Sequence, residues 1–207
     1  MRARLIPMVL GAGMLVAPRD AVAAVAVSGP AALQSVHPMA RSVTLAPLLD
    51  RTGLPEVEIW ARQTQDLLAP DTLPLRTIGP GDALDLVQAA RMIEWPGRWQ
   101  ATVIAPGQTE FVGLVRELGT ATGTDQVLVQ ELTGLTRVPN PETGALTDLD
   151  VSYRQTLLEA RTGTLVWQGT SSFALPAGSE QAEPAVRQAL LETMKASLAD
   201  CPWRTLL

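Results

Sequence analysis

The stretch Asp125-Gln-Val-Leu-Val-Gln-Glu-Leu132 sets the strongest condition on how this chain can fold. Successive side chains of a strand point to opposite faces, so the unbroken run Val127-Leu-Val129 places aliphatic groups on both sides at once. A strand of this kind is stable only at the centre of a sheet that is covered on both faces. The rest of the chain must therefore supply neighbours along its edges and layers over its faces.

Neighbours are legible on either side of it. Asp150 to Ala160 and Thr164 to Phe173 alternate with period two around Arg161-Thr-Gly163, the pattern of an antiparallel hairpin. Val151, Tyr153 and Leu157 share one face of the first arm, and Leu165, Trp167 and Phe173 share one face of the second. Upstream, Ser42 to Pro47 reads as a first strand ending in the turn residues Asp50-Arg-Thr-Gly53, and Leu73 to Ile78 as a short extended run. The segment from Gly134 to Leu149, with Pro139, Asn140, Pro141 and Gly144, reads as a long loop.

Covering helices follow from the three-and-four spacing of apolar residues. Val57, Trp60, Ala61, Thr64, Leu67 and Leu68 form one amphipathic face that ends before Pro70. A second helix is expected from Ala83 to Ile93, with Asp82 as its N-cap, Leu84 and Val87 facing inward, and a break at Pro96-Gly97. A third is bounded by Pro106-Gly107 and Gly123 and presents Phe111, Leu114, Val115 and Leu118. A last one spans about Ser179 to Asp200, with Val186, Leu190, Met194 and Leu198 four apart. The order of elements implies an α/β (α+β) single domain. Its sheet is mixed, of about five strands, with a parallel start, a C-terminal antiparallel hairpin and helices packed on it.

That domain is expected to occupy residues 42–207. Arg2 and Arg4, the apolar run from Leu5 to Ala17 and the small residues Ala21-Val-Ala23 have the layout of a cleavable secretory signal over residues 1–23. The apolar run falls short of the roughly 20 residues a membrane span needs. Residues 24–41, rich in Ala, Val, Ser and Pro, read as a flexible linker. Export implies a periplasmic location and a mature chain without a membrane span. Cys201 is the single cysteine, so no intrachain disulfide forms, and its thiol is either partly buried or bridged between two chains.

Composition narrows the function. A net charge of -5 argues against a nucleic-acid surface, which requires concentrated positive charge. His37, the single histidine, lies in the linker, so a histidine-dependent triad has no base inside the domain. The nearest carboxylate pairs, Asp82 with Asp85 and Asp148 with Asp150, fall at a helix start and a strand start, where capping and solvation account for them. Nucleotide-binding glycine loops and the nucleophile elbow are missing, and no metal or cofactor is expected. The chain reads as a non-catalytic binding protein. Trp95, Arg98 and Trp99 in one loop, together with Pro139 and Asn140 in the other, are the candidate partner-binding residues. The competing account of the tryptophans is that they plug a helix end against the sheet. An alternative function is the binding of a small ligand or glycan in a pocket lined by those indoles.

Three segments carry a family resemblance: Val43 to Gly53 before a helix, Leu118-Gly-Thr-Ala-Thr-Gly-Thr-Asp-Gln-Val-Leu-Val129, and Leu157-Leu-Glu-Ala-Arg-Thr-Gly-Thr-Leu-Val-Trp167. Together they resemble the periplasmic α/β domains shared by the TolB N-terminal domain, curli secretion channel subunits and the lipoprotein activators of penicillin-binding proteins. The resemblance covers most of Ser42 to Asp200. It implies the fold, an envelope location, and a role as an interaction, assembly or regulatory module of an envelope protein complex, with homo-oligomers among the options. Two features depart from it. The acylated cysteine of the lipoproteins is missing, and the Gly134 to Leu149 connection is too short to supply the two membrane-crossing strands of a channel subunit.

Overall fold

A computed structural model of the chain describes residues 40–52, 62, 65, 75–104, 107–139, 146–175, 188, 191, 192, 194, 195, 198 and 201. The expected signal and linker, most of the helix over Val57 to Leu68 and most of the C-terminal helix lie outside these residues. Arg62 and Gln65 of the former are helical, as are Gln188, Leu191, Glu192, Met194 and Lys195 of the latter.

Nine elements are fully described: β1 (Ser42–Leu45), β2 (Leu49–Asp50), β3 (Arg76–Ile78), α1 (Pro80–Ala89), α2 (Trp95–Ala101), α3 (Thr109–Thr122), β4 (Gln126–Pro139), β5 (Leu146–Glu159) and β6 (Leu165–Leu175). They build one mixed sheet in the order β3-β1-β4-β5-β6, with β2 also paired to β4. Strands β3, β1 and β4 run parallel, while β4, β5 and β6 form an antiparallel meander. The expected mixed sheet, parallel start and C-terminal hairpin are all present.

The strand with aliphatic groups on both faces, β4, sits third of five in the sheet order and is buried on each side. Val127 and Val129 enter a core made with Phe111, Leu114, Val115 and Leu118 of α3, Ala83 and Val87 of α1, and both tryptophans of α2. Leu128 lies on the opposite face, in register with Leu45 of β1 and Leu157 of β5. Met194, Leu198 and Cys201 are buried as well and stand outside the α1–α3 core.

Several boundaries differ from expectation for identifiable reasons. Helix α1 begins at Pro80 with Gly79 as its N-cap, so Asp82 is a first-turn carboxylate and not the cap. Proline suits the first helical position because its missing N–H has no intrahelical partner there. The helix closes at Ala89, short of Ile93, and Arg91 follows in the left-handed region at φ 59°. The same rule reverses the reading of Pro96-Gly97: with Pro96 in the first turn, the segment starts helix α2 and breaks nothing. The expected Gly134 to Leu149 loop is mostly strand, since β4 continues to Pro139 and β5 starts at Leu146. Leu135-Thr-Arg-Val138 and Leu146-Thr-Asp-Leu149 carry a weak alternation that the turn residues between them obscured.

Strands β1 and β2 are one extended segment interrupted at Ala46-Pro47-Leu48, and both pair with β4. The ladder closes around the gap through Ala46 N–H to the Leu128 carbonyl (2.9 Å) and Arg51 N–H to the Leu132 carbonyl (2.9 Å). Side chains satisfy the carbonyls in the gap: Gln65 Nε2 donates to Ala46 (2.7 Å), Trp99 Nε1 to Pro47 (2.8 Å) and Gln100 Nε2 to Leu48 (3.4 Å). Buried carbonyls need such partners.

The three sequence segments behind the resemblance meet in one corner. Asp125 Oδ2 accepts from the backbone N–H groups of Arg41 (2.8 Å) and Ser42 (3.1 Å) and from Ser42 Oγ (3.0 Å), joining the start of β1 to the α3–β4 junction. Ala160 N–H donates to the Asp125 carbonyl at 2.9 Å, which adds the tip of the β5–β6 hairpin. Gly119 of α3 lies so close to that tip that a Cβ on it would stand 2.5 Å from Ala160 Cβ. Gly163 in the tip has φ +72° and faces Val112 in the same way, at 2.6 Å. Gly119→Ala is expected to lower the unfolding free energy by about 1–3 kcal/mol, the usual scale of overpacking. Urea denaturation should show the loss, and Ala160→Gly in the same chain should recover part of it.

Candidate functional site

The tryptophan segment is a short helix whose indoles point into the protein. Trp95 and Trp99 are 1% and 0% exposed, and their rings stack with centroids 5.0 Å apart and 12° between planes. Trp99 also stacks on Phe111 at 6.3 Å. Each indole N–H reaches a backbone carbonyl: Trp95 Nε1 donates to Leu114 (3.1 Å) and Trp99 Nε1 to Pro47 (2.8 Å). Buried indoles require such partners. The pair therefore fastens α3 and the β1–β2 gap to α2, as the plug account expected, and presents neither ring to a partner.

Arg98 faces outward on α2 and pairs with Glu117 of α3 at 3.1 Å, both side chains remaining well exposed. Pro139 ends β4 opposite Leu146, and Asn140 lies outside the described residues. Helix α2 approaches β4 near Glu131, and Pro139 is roughly 25 Å farther along that extended strand. Among the described candidates, Trp95, Arg98 and Trp99 share α2 while Pro139 lies at the far end of β4.

Two polar constellations that spacing alone did not reveal lie on opposite faces of the sheet. On the face toward α1–α3, Glu131 is buried and held by two arginines. Arg51 Nε donates to it at 3.2 Å, and Arg154, the antiparallel ladder partner of Glu131, donates through Nε (2.9 Å) and Nη2. Arg51 also donates from Nη1 to the Gln100 carbonyl (3.1 Å) and from Nη2 to the Thr102 carbonyl, so its cation sits at the C-terminal end of α2 where carbonyls lack helical partners. The clamp ties β2, β4, β5 and α2 together.

The second constellation is a polar row on the face of Leu128. Gln130 stands opposite Gln155 in β5, which stands opposite Gly169 in β6; one step along, Tyr153 stands opposite Ser171. Gln130 and Gln155 are 0% exposed and Tyr153 is 1% exposed. Burial pushes the Tyr153 phenol well above its ordinary value of 10.0, and a hydrogen bond with the Gln155 side chain pulls the other way. Its sequence signal is ambiguous: Gln126, Gln130 and Gln155 interrupt otherwise apolar strand runs.

Among the described residues, no group of three or more His, Cys, Asp and Glu is placed to hold a metal ion, and no helix is long and apolar enough to cross a membrane. Asp82 and Asp85 occupy successive turns of α1, and Asp148 and Asp150 occupy ladder positions opposite Val138 and Thr136. Cys201 is buried.

No family model and no curated protein matches the sequence. Among solved structures, the chain is similar to lipoprotein GNA1162 of Neisseria meningitidis, at 15% identity and a TM-score of 0.45 over 75% of this chain and 99% of that one. It is similar to the PelC dodecamer of Paraburkholderia phytofirmans, at 13% identity and a TM-score of 0.41 over 82% and 94% of the two chains. The C-terminal domain of LpoB from Escherichia coli is similar at 15% identity and a TM-score of 0.43, over 68% and 88%. These likenesses concern the course of the chain and assign no activity.

Two outcomes test the constellations. Glu131→Ala leaves two facing guanidinium groups without their carboxylate and should cost about 2 kcal/mol in urea unfolding. That is below the ~3–5 of a fully buried pair, because each arginine keeps 29% exposure. Tyr153 is the only tyrosine, so tyrosinate absorbance reports on it alone. Below pH 10 both the folded and unfolded chains carry the phenol proton; above it the unfolded chain releases the proton and the folded chain keeps it, so stability falls as pH rises. Tyrosinate absorbance should therefore appear only with alkaline unfolding, and Tyr153→Phe should flatten the alkaline loss of stability.

Proposed function

We propose that this chain is a non-catalytic accessory module of the bacterial envelope, exported to the periplasm, that acts by binding a protein partner. In this reading residues 1–23 direct export, residues 24–41 form a tether and residues 42–207 form the binding domain. The observation that carries the binding role is the outer edge of β6. This strand runs for 11 residues, pairs with β5 on one side and ends the sheet order among the described residues. From Leu165 to Leu175 it contains no charged residue and no proline. Proteins commonly protect edge strands with those residues, because an open edge offers backbone donors and acceptors to another strand. An edge left without them is suited to accept an extended segment of a partner. The sequence resemblance to envelope modules supports the compartment, and the position of the single histidine, His37, in the expected linker supports a role without histidine-dependent acid–base chemistry.

The test uses a photo-crosslinking residue at Gln168, on β6, in the chain expressed with residues 1–207 in a bacterium. A defined crosslinked protein from the periplasmic fraction is expected. Lysines at 168 and 172 (Gln168→Lys with Ser172→Lys) should reduce its capture at least several-fold while leaving the melting transition in place, since charges on an edge block pairing. A mature N-terminus at Ala24 is expected from the same preparation. Capture that is indifferent to the lysines would remove β6 as the surface, and retention of residues 1–23 would remove the export reading.

A further inference from the structure

The two ends of the described sheet are built differently. At one end β3 is three residues long and carries Arg76, the short, charged kind of edge that resists pairing. At the other end β6 runs for 11 residues, Leu165-Val-Trp-Gln-Gly-Thr-Ser-Ser-Phe-Ala-Leu175, with no charge. This strand is nearly symmetric about Thr170. Outward from that residue, Gly169 corresponds to Ser171, Gln168 to Ser172, Trp167 to Phe173, Val166 to Ala174 and Leu165 to Leu175. Small residues thus match small, polar match polar, aromatic match aromatic and aliphatic match aliphatic.

We infer that β6 pairs antiparallel with β6 of a second copy of this chain, across a two-fold axis at Thr170. The inference rests on the reading of this edge as a binding surface and names its occupant. A two-fold antiparallel pair sets each residue against its symmetric counterpart, so Trp167 of one copy faces Phe173 of the other and Thr170 faces Thr170. Aromatic pairs and threonine pairs are favourable cross-strand combinations. Registers centred on Gly169 or Ser171 lose the aromatic pairs and shorten the ladder. The charge next to the axis, Arg154, stands opposite Thr170 in β5 and is already paired with Glu131, so the two copies bring no unpaired like charges together. The pairing consumes both β6 edges and leaves the short β3 edges outermost, so growth along the sheet closes at two copies. A strand edge roughly 35 Å long is a small interface, and the dimer is expected to exchange with monomer at micromolar concentration.

The experiment is analytical ultracentrifugation of the full chain purified from an expressing bacterium, beside two double variants. Gln168 faces Ser172 of the other copy, whereas within one strand the two positions are about 13 Å apart. Gln168→Lys with Ser172→Glu therefore places opposite charges face to face twice in the dimer, and Gln168→Lys with Ser172→Lys places like charges there. Concentration-dependent dimers are expected for the unaltered chain and the first variant, with a dissociation constant at least about tenfold higher for the second variant. Coincident far-ultraviolet circular dichroism of all three should show that the fold is kept. A photo-crosslinking residue at Gln168 in the purified chain should join it to the β6 peptide of the other copy. A monomer at every concentration, or equal dimerisation of the two variants, overturns the self-pairing. In that event, capture of a different protein by the same residue in the periplasm preserves the edge as a binding surface, and capture of nothing removes that reading as well.

Discussion

Strand β4 carries aliphatic side chains on both faces, and burying them requires a layer on each side of the sheet. That demand organises the molecule. Val127 and Val129 draw α1, α2 and α3 onto one face, and Leu128 with Leu132 requires a second cover on the other. Parallel partners on one edge and antiparallel partners on the other follow from connectivity: β1 and β3 reach the sheet through intervening helical segments, whereas β5 and β6 return directly as a meander.

Polar groups drawn into this arrangement are handled in two different ways. Where the β1–β2 segment leaves the ladder at Pro47, three side chains from elsewhere in the chain take its carbonyls, and Glu131 receives two guanidinium groups. These sites are satisfied and act as fasteners between elements distant in sequence. Gln130 and Ser171, on the opposite face, keep buried polar side-chain atoms without partners. Leaving a polar atom buried and unpaired costs on the order of 1–3 kcal/mol, so the two faces of β4 differ in what their polar groups contribute to stability.

Much of the fold was legible in the sequence. Period-two alternation located the β5–β6 hairpin, helical spacing located α3 to within a residue, and the doubly apolar run identified the central strand. Errors arose where a single residue type supports two structures. Pro96 reads as a breaker because proline ends helices, yet it also begins them, and the surrounding residues do not say which. Pro139, Pro141 and Gly144 outweigh a weak alternation beside them, so the outer halves of β4 and β5 read as loop in the sequence. Trp95 and Trp99 had the composition of an interface and the four-residue spacing of a buried helix face; their orientation depended on carbonyls at Pro47 and Leu114.

By itself the sequence determined which segments are apolar, with what period, and therefore the element types, the central place of β4 and the mixed character of the sheet. These are local properties, carried by neighbours within one or two turns or a few strand residues. Tertiary structure alone decided which polar residues meet. Glu131 finds Arg51 across 80 residues, and Trp99 finds Pro47 across 52. Gln130, Tyr153 and Ser171 come together only through strand register. Register and long-range pairing depend on how the layers close around β4, and a linear pattern holds no record of that closure.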